Sequence, residues 1–349
     1  MSLLRRLFGH LQDGRAVHSI LLTHDDSGFA VEVLEYGAIL RAIHVANRQG
    51  RLLNTILAYD TLAAYEADQA YLGAVIGRCA NRIANAIVVI DHQPFQLTRN
   101  HGAHHLHGGA IGFSKALWRC RDLKDGALPG VTLEHCSPDG DEGYPGKVVT
   151  RIALQITSPF SFHVLMQATT DRATPLNLTL HPYFNLSGDP QSSIDDHLLH
   201  IDADAILETS PDGIPTGQIL PVIDTHFDFR RAATVGTGLA QNDPQLNVRG
   251  GYDHHWILNK TRPVAVDARL FSPTSGIQLH LSTNQPGVQF YSGNFLHSGS
   301  AAYFHDRAGL CIEPQGFPNA VNEPRFPSVI LHPSQAYLHT TSYLYSVAH

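Results

Sequence analysis

Arg151-Ile-Ala-Leu-Gln-Ile-Thr-Ser-Pro-Phe-Ser-Phe-His-Val-Leu-Met-Gln-Ala168 decides the fold class. Ile152, Leu154 and Ile156 alternate with Arg151, Ala153 and Gln155. Phe162, Val164, Met166 and Ala168 then alternate with Ser161, His163, Leu165 and Gln167. A period of two buries one face of an antiparallel strand and leaves the other to solvent or a second layer. The same period recurs at Val264, Val266, Ala268 and Leu270, and again at Ile277, Leu279 and Leu281 against Gln278, His280 and Ser282. Ser-Pro-Thr-Ser-Gly at 272–276 separates those two runs and reads as a hairpin. Ser-Pro-Asp-Gly, at 137–140 and again at 210–213, marks further turns. The clearest helix is short, Thr61–Ala67, with Asp60 as its expected N-cap. No repeat or low-complexity linker divides the chain. The expectation is one all-β domain spanning residues 1–349, a large antiparallel β-sandwich with few short helices.

Composition narrows the function. The 349 residues are 43% hydrophobic and 16% charged, enough apolar material for a large core. A formal charge of −7 argues against a nucleic-acid partner, which needs a clustered basic surface. Aliphatic runs such as Ala86–Ile90 are far too short to cross a membrane. The N-terminal Met1-Ser-Leu-Leu-Arg-Arg-Leu-Phe-Gly is not followed by a signal-peptide core. Cys79, Cys120, Cys136 and Cys311 lack CxxC spacing and read as reduced thiols of a cytoplasmic protein.

Chemistry concentrates where polar residues interrupt the strand pattern. Such segments are Gly77-Arg-Cys-Ala-Asn-Arg-Ile83, His104-His-Leu-His-Gly-Gly109, Asn177-Leu-Thr-Leu-His-Pro-Tyr-Phe-Asn-Leu-Ser-Gly188 and Gly251-Tyr-Asp-His-His-Trp256. Cys311-Ile-Glu-Pro-Gln-Gly-Phe-Pro-Asn-Ala-Val-Asn322 sets a carboxylate among apolar neighbours. Singly, each has a plain reading: Arg82 as a surface ion pair, Glu313 as a structural carboxylate, His107 as a loop cap.

In this order they resemble the motifs of the aldose 1-epimerase (galactose mutarotase) family. Tyr71–Ile83 is similar to its Gly-Arg-x-Ala-Asn-Arg-Ile signature. Leu106-His-Gly-Gly-x-x-Gly-Phe113 with Trp118, Pro175-Leu-Asn-Leu-Thr-Leu-His-Pro-Tyr-Phe-Asn-Leu186 and Gly251-Tyr-Asp-His254 resemble further segments. Gln285-Pro-Gly-Val-Gln-Phe-Tyr-Ser-Gly-Asn294 and Glu313-x-Gln-x-x-Pro-x-Ala-x-Asn322 complete the set. The resemblance implies a galactose mutarotase-like supersandwich and the interconversion of α and β anomers of free aldohexoses such as galactose and glucose. It implies no cofactor and no metal, a monosaccharide as substrate, no nucleic-acid or membrane partner, Glu313 as general base and His181 as general acid, and leaves the oligomeric state open. Asn81, Arg82, His107, Asp253 and Gln289 would bind the substrate. The chain departs from the family pattern at Pro182, Pro314 and Asn319. A residue before proline is pushed towards extended backbone, which suits strand-borne His181 and Glu313.

Rival readings are a metal site at His104, His105 and His107 with His254 and His255, and a serine hydrolase, for which no Gly-x-Ser-x-Gly elbow is present. On a strand, His105 and His107 would share a face. An epimerase of a phosphorylated hexose would need cations for the phosphate, and the motifs offer Arg78 and Arg82. A non-catalytic sugar-binding relative would keep the cradle and lose the acid or the base, whereas both are present.

Overall fold

The computed structural model of the chain describes residues 2–260, 266–300 and 303–348. The alternating stretch forms two long antiparallel strands, Val148–Ser158 and Ser161–Thr170, with Ile152 opposite Met166 and Ile156 opposite Phe162. Ile152, Leu154, Ile156, Phe162, Val164 and Met166 are all buried. Each such side chain contributes roughly 1.5–3 kcal/mol on burial. A one-residue slip would turn the whole set to the wrong face, so the register is firmly set. These strands lie within a nine-stranded antiparallel sheet that ends, in space, on Arg119–Lys124 and Ala233–Thr234.

Two five-stranded sheets share its core. The first is a meander of Leu3–His10, Ala16–Thr23, Ala30–Leu34, Leu40–Ala46 and Leu52–Asn54, which contributes Ile20, Val31, Val33 and Ile43. The second runs, in spatial order, Pro215–Pro221, Ala203–Thr209, Asp253–Leu258, Gly287–Tyr291 and Cys311–Gln315. Its Trp256, Val288, Phe290 and Ile312 join the common core. Alternation then turns Asp253, His255, Gln289, Tyr291, Cys311, Glu313 and Gln315 to the opposite face. Gln289 stands opposite both His255 and Glu313, and Tyr291 opposite both Asp253 and Cys311. The all-β antiparallel architecture read from the sequence is the one observed.

The hairpin at 272–276 also forms, joining Ala268–Phe271 to Ile277–Thr283. Ser272 N–H donates to Ile277 O at 3.0 Å, and Gly276 takes the left-handed turn at φ 78. Three local expectations change. The strand before that hairpin begins at Ala268, so Val266 precedes it, and Val264 lies outside the described residues. The buried Asp267 carboxylate accepts from Lys260 Nζ at 2.6 Å and Thr283 N–H at 2.7 Å, anchoring the chain where the strand starts. The helix Leu62–Ala67 is capped by Thr61, not Asp60, because Thr61 Oγ1 is the group that reaches the Ala64 N–H, at 3.3 Å. Val235–Leu239, Pro244–Arg249 and Leu296–Gly299 are further short helices that the apolar pattern does not announce. Pro244–Arg249 matters to the site. Asp243 caps it, proline opens it, and Gly250 closes it at φ 65, which leaves Arg249 in its last turn.

Candidate active site

The polar face of the second five-stranded sheet floors a cavity of about 300 Å³. All seven residues singled out in the sequence line it: Asn81, Arg82, His107, His181, Asp253, Gln289 and Glu313. A pocket at the small end of the range for ligand sites, with this many polar groups, suits one small polar molecule.

One wall is built from the Gly77–Ile83 segment and the histidine-glycine loop. Arg82–Ile83 pairs with His105–Leu106, and just beyond that pair the chain turns left-handed at His107, φ 51, and Gly108, φ 88. Gly108 packs so tightly that a Cβ there would fall 1.7 Å from Gly77 O. Asn81 and His107 exchange bonds: His107 N–H donates to Asn81 O at 3.0 Å, and Asn81 N–H donates to His107 Nδ1 at 3.2 Å. With Nδ1 accepting, the neutral ring carries its proton on Nε2. Burial, then the neighbouring His181 and Arg82, pushes the His107 pKa well below its usual value. His107 is therefore a neutral hydrogen-bond donor.

Asp253 opens the strand Asp253–Leu258 and is held from three sides. Its Oδ2 accepts from Arg249 Nη2 at 2.6 Å and lies 3.6 Å from Arg82 Nη1, while Oδ1 accepts from Gln289 Nε2 at 2.8 Å. Burial alone would raise its pKa, but Arg82 and Arg249 outweigh that and hold the carboxyl well below the usual carboxylate range. It is a fixed anion.

His181 follows the short strand Thr179–Leu180. Its N–H donates to Ala74 O at 3.0 Å and its carbonyl accepts from Gly73 N–H at 2.9 Å, but the strand ends at Leu180, so His181 lies one residue past it and not on it. Its Nε2 lies 3.7 Å from Glu313 Oε1, and its Nδ1 lies 3.5 Å from Cys311 Sγ. Burial lowers the His181 pKa to about 4. Burial and then the Asp253 charge raise that of Glu313 well above its usual value, against a smaller opposing pull from Arg82. The two groups thus sit side by side in surroundings that favour the neutral form of each.

The cavity also contains residues the sequence reading did not single out. Arg249 has a legible signal in the Asp243-Pro244…Gly250 helix caps. Tyr71, Tyr183 and Tyr291 form much of the aromatic wall, with the Tyr71 ring 4.7 Å from His107 and the Tyr183 ring 5.1 Å from His181. Nothing in the strand pattern separates them from core tyrosines.

Other motif residues go elsewhere. Arg78 does not reach the cavity. Its guanidinium is buried against Ser137, Pro138 O at 2.7 Å, Pro145 O at 3.0 Å and Thr174 Oγ1 at 3.2 Å. His105 and His107 do not share a face, because the strand ends at Leu106. His105 turns to Tyr144 Oη at 2.7 Å and Thr98 O at 2.6 Å. His254 and His255 lie on opposite faces of one strand, so the histidines considered for a metal do not converge. A different trio, His181, Cys311 and Glu313, offers ligand atoms within 4.8 Å of one another. Burial keeps Cys311 a thiol and favours the acid form of Glu313, protons that a cation would have to displace. Asn319 ties its loop to the wall by accepting from Ala84 N–H at 3.0 Å.

The aldose 1-epimerase family model matches residues 18–344. The chain is 39% identical to galactose mutarotase of Homo sapiens over 351 residues, 99% of each chain. It is 33% identical to aldose 1-epimerase of Escherichia coli over 332 residues, 93% of this chain and 94% of that one. Among solved structures, galactose 1-epimerase from Lactobacillus acidophilus superposes with a TM-score of 0.89 at 30% identity, covering 100% of both chains. An aldose epimerase homologue from C. elegans gives 0.84 at 29% identity, over 93% of this chain and 97% of that one. With sequence, fold and family model in agreement along nearly its whole length, this chain belongs to the aldose 1-epimerase family.

Proposed function

We propose that the chain interconverts the α and β anomers of free aldohexoses, galactose and glucose among them, with Glu313 as general base and His181 as general acid. The observation that carries the roles is the 3.7 Å separation of His181 Nε2 and Glu313 Oε1 at the floor of the cavity. The two sugar oxygens that must lose and gain a proton are both bonded to C1, so acid and base must stand close together.

The reaction then balances on one shared proton. Glu313 takes the proton of the anomeric hydroxyl as C1–O1 becomes a carbonyl. The bond from C1 to the ring oxygen breaks, and its electron pair takes the proton of His181 Nε2. Glutamate and imidazolium become glutamic acid and imidazole, and burial favours that neutral pair. In the resting site the same burial favours glutamic acid and imidazole, so the reactive glutamate–imidazolium form arises by passing that one proton from Glu313 to His181 across the 3.7 Å between them. Rotation about C1–C2 and the reverse transfers close the ring on the other face.

Asp253 accepts from sugar hydroxyls, while Arg82, Asn81, Gln289 and the His107 Nε2–H supply donors. A neutral sugar needs such paired groups, since each buried hydroxyl left unpaired costs about 1–3 kcal/mol. A free sugar is favoured over a phosphorylated one because Arg78 is committed to the interior and Asp253 already engages Arg82 and Arg249. We read residues 1–349 as one domain, since the cavity draws on side chains from Gln69 to Glu313. We place the protein in the cytoplasm on its four free cysteines. No helix among the described residues is long and apolar enough to cross a membrane.

Polarimetry of freshly dissolved α-D-galactose and α-D-glucose tests the function. Catalysed decay of rotation is expected, without added metal and in the presence of a chelator. Sugar binding without acceleration would instead make the chain a non-catalytic relative.

A further inference from the structure

The sheet face that carries Glu313 continues beneath the cavity as a row of polar side chains. Glu313 Oε2, Gln289 Oε1, both ring nitrogens of His255 and both amide atoms of Gln315 are buried without a hydrogen-bond partner in the protein. His255, Gln289 and Glu313 stand directly opposite one another on three neighbouring strands, and Gln315, two residues past Glu313, faces the same way. His255 and Gln315 do not line the cavity; they lie below it, fully buried.

The backbone makes room for this row. Gly287 is the residue opposite Gln315, and a Cβ there would come within 2.1 Å of His255 Nε2. The imidazole therefore lies across the bare backbone of Gly287, the residue opposite Gln315, and the Phe317 ring packs edge-on against it with centroids 5.1 Å apart. Folded proteins pair nearly all of their buried polar atoms, using ordered water where no protein group is in reach. Six such atoms gathered on one sheet face, beginning at the proposed base, mark a place built for it.

We propose that this row binds ordered water linking Glu313 Oε2 to His255 and Gln315, and that these two are positioning residues for the base. The inference rests on the reading of Glu313 as general base. A neutral imidazole and an amide each bring one or more donors and an acceptor, so a water chain anchored on them can end with a donor on Oε2. Donation there holds the carboxylate in one rotamer and leaves Oε1 free for the substrate and His181. It also offsets part of the burial that drives Glu313 to its acid form.

The experiment compares H255F and Q315L with the conservative H255Q, and with E313Q as the reference for loss of the base. In H255F and Q315L, kcat should fall roughly tenfold at unchanged KM, and the alkaline limb of the pH profile should rise by about one pH unit, the same free energy in two readouts. H255Q should recover most of kcat and return the limb. A crystal structure of the wild type should show water between Glu313, Gln289, His255 and Gln315. Variants with wild-type kcat and an unmoved limb would overturn the proposal, and so would a kcat loss with the limb in place, which is what mere packing damage gives. If H255F does not fold, Q315L, H255Q and the wild-type water structure decide. E313Q turning over at the wild-type rate would instead remove the base assignment itself.

Discussion

Arg249 grips Asp253 through two guanidinium nitrogens, Nη2 at 2.6 Å and Nε at 3.3 Å, from the last turn of a capped helix to the first residue of a strand. The contact fixes the one permanently charged carboxylate of the cavity, and Gln289 Nε2 takes the other oxygen. Arg82, at 3.6 Å, is the more distant partner and acts through its charge.

Replacing Arg249 with Met should therefore act on sugar binding first. Hydrogen bonds to charged groups are worth about 1.5–3 kcal/mol, so KM for aldoses should rise by roughly tenfold to a hundredfold. Arg249→Lys should be intermediate, since an ammonium keeps the charge and loses the fork. Initial-rate polarimetry measures both. An unchanged KM in the Met variant would mean that Arg82 alone holds Asp253 in place.

Glu313→Gln keeps shape and cannot take the anomeric proton; His181→Asn keeps a polar group and cannot deliver one. General acid–base catalysis is worth roughly 10²–10⁴-fold per group, and each variant should lose about that much kcat with sugar binding retained. The double variant should lose little more than the worse single one, because removing a proton at O1 serves no purpose unless one arrives at the ring oxygen. Additive losses would show that the two residues act in separate steps.

The pH profile of kcat should be a broad bell. In the proposed mechanism the His181–Glu313 pair carries one proton and no net charge. Adding a second proton leaves a buried cation, and removing the last leaves a buried anion. Burial opposes both, so the acid limb lies below the ordinary histidine value, towards the value of about 4 to which His181 is pushed. The alkaline limb lies above the ordinary glutamate value, in the direction in which burial and Asp253 push Glu313. The limbs belong to the pair and not to either residue. An acid limb at the unperturbed histidine value would contradict the desolvated pair.

Arg78→Met separates scaffold from site. Arg78 donates to the carbonyls of Ser137, Pro138 and Pro145 and to the hydroxyls of Ser137 and Thr174, and its loss removes all five bonds, leaving Pro138 O with the Asp141 N–H at 3.2 Å. The cost should exceed about 3 kcal/mol, seen as a lower Tm, while kcat and KM of the remaining folded protein stay near wild type. A selective loss of KM with an unchanged Tm would put Arg78 in the cavity after all.

Much of the site could be read from the chain because the polar residues that interrupt a period-two pattern lie on strands whose other face is core. Glu313, a carboxylate between Ile312 and Pro314, stands out for that reason, whereas Gln289 keeps the alternation between Val288 and Phe290 and is picked out only by the family resemblance of its motif; both line the cavity. Arg249 was harder to find because it belongs to a six-residue helix recognisable by its caps alone. Arg78 and Arg82 share one motif and part company, a division that no linear pattern expresses.

Period and composition by themselves determined an antiparallel β protein with a large core, since alternation has only one way to bury its apolar half. Motif order determined which polar residues to watch. Only the tertiary structure decided which of them meet. His181 and Glu313 lie far apart in the chain, and their 3.7 Å approach depends on Thr179–Leu180 pairing with Val75–Ile76 and on Cys311–Gln315 pairing with Gly287–Tyr291. Their protonation is also a tertiary property. Desolvation comes from the walls packed around a group, and those walls are assembled from strands that the local sequence of neither residue specifies.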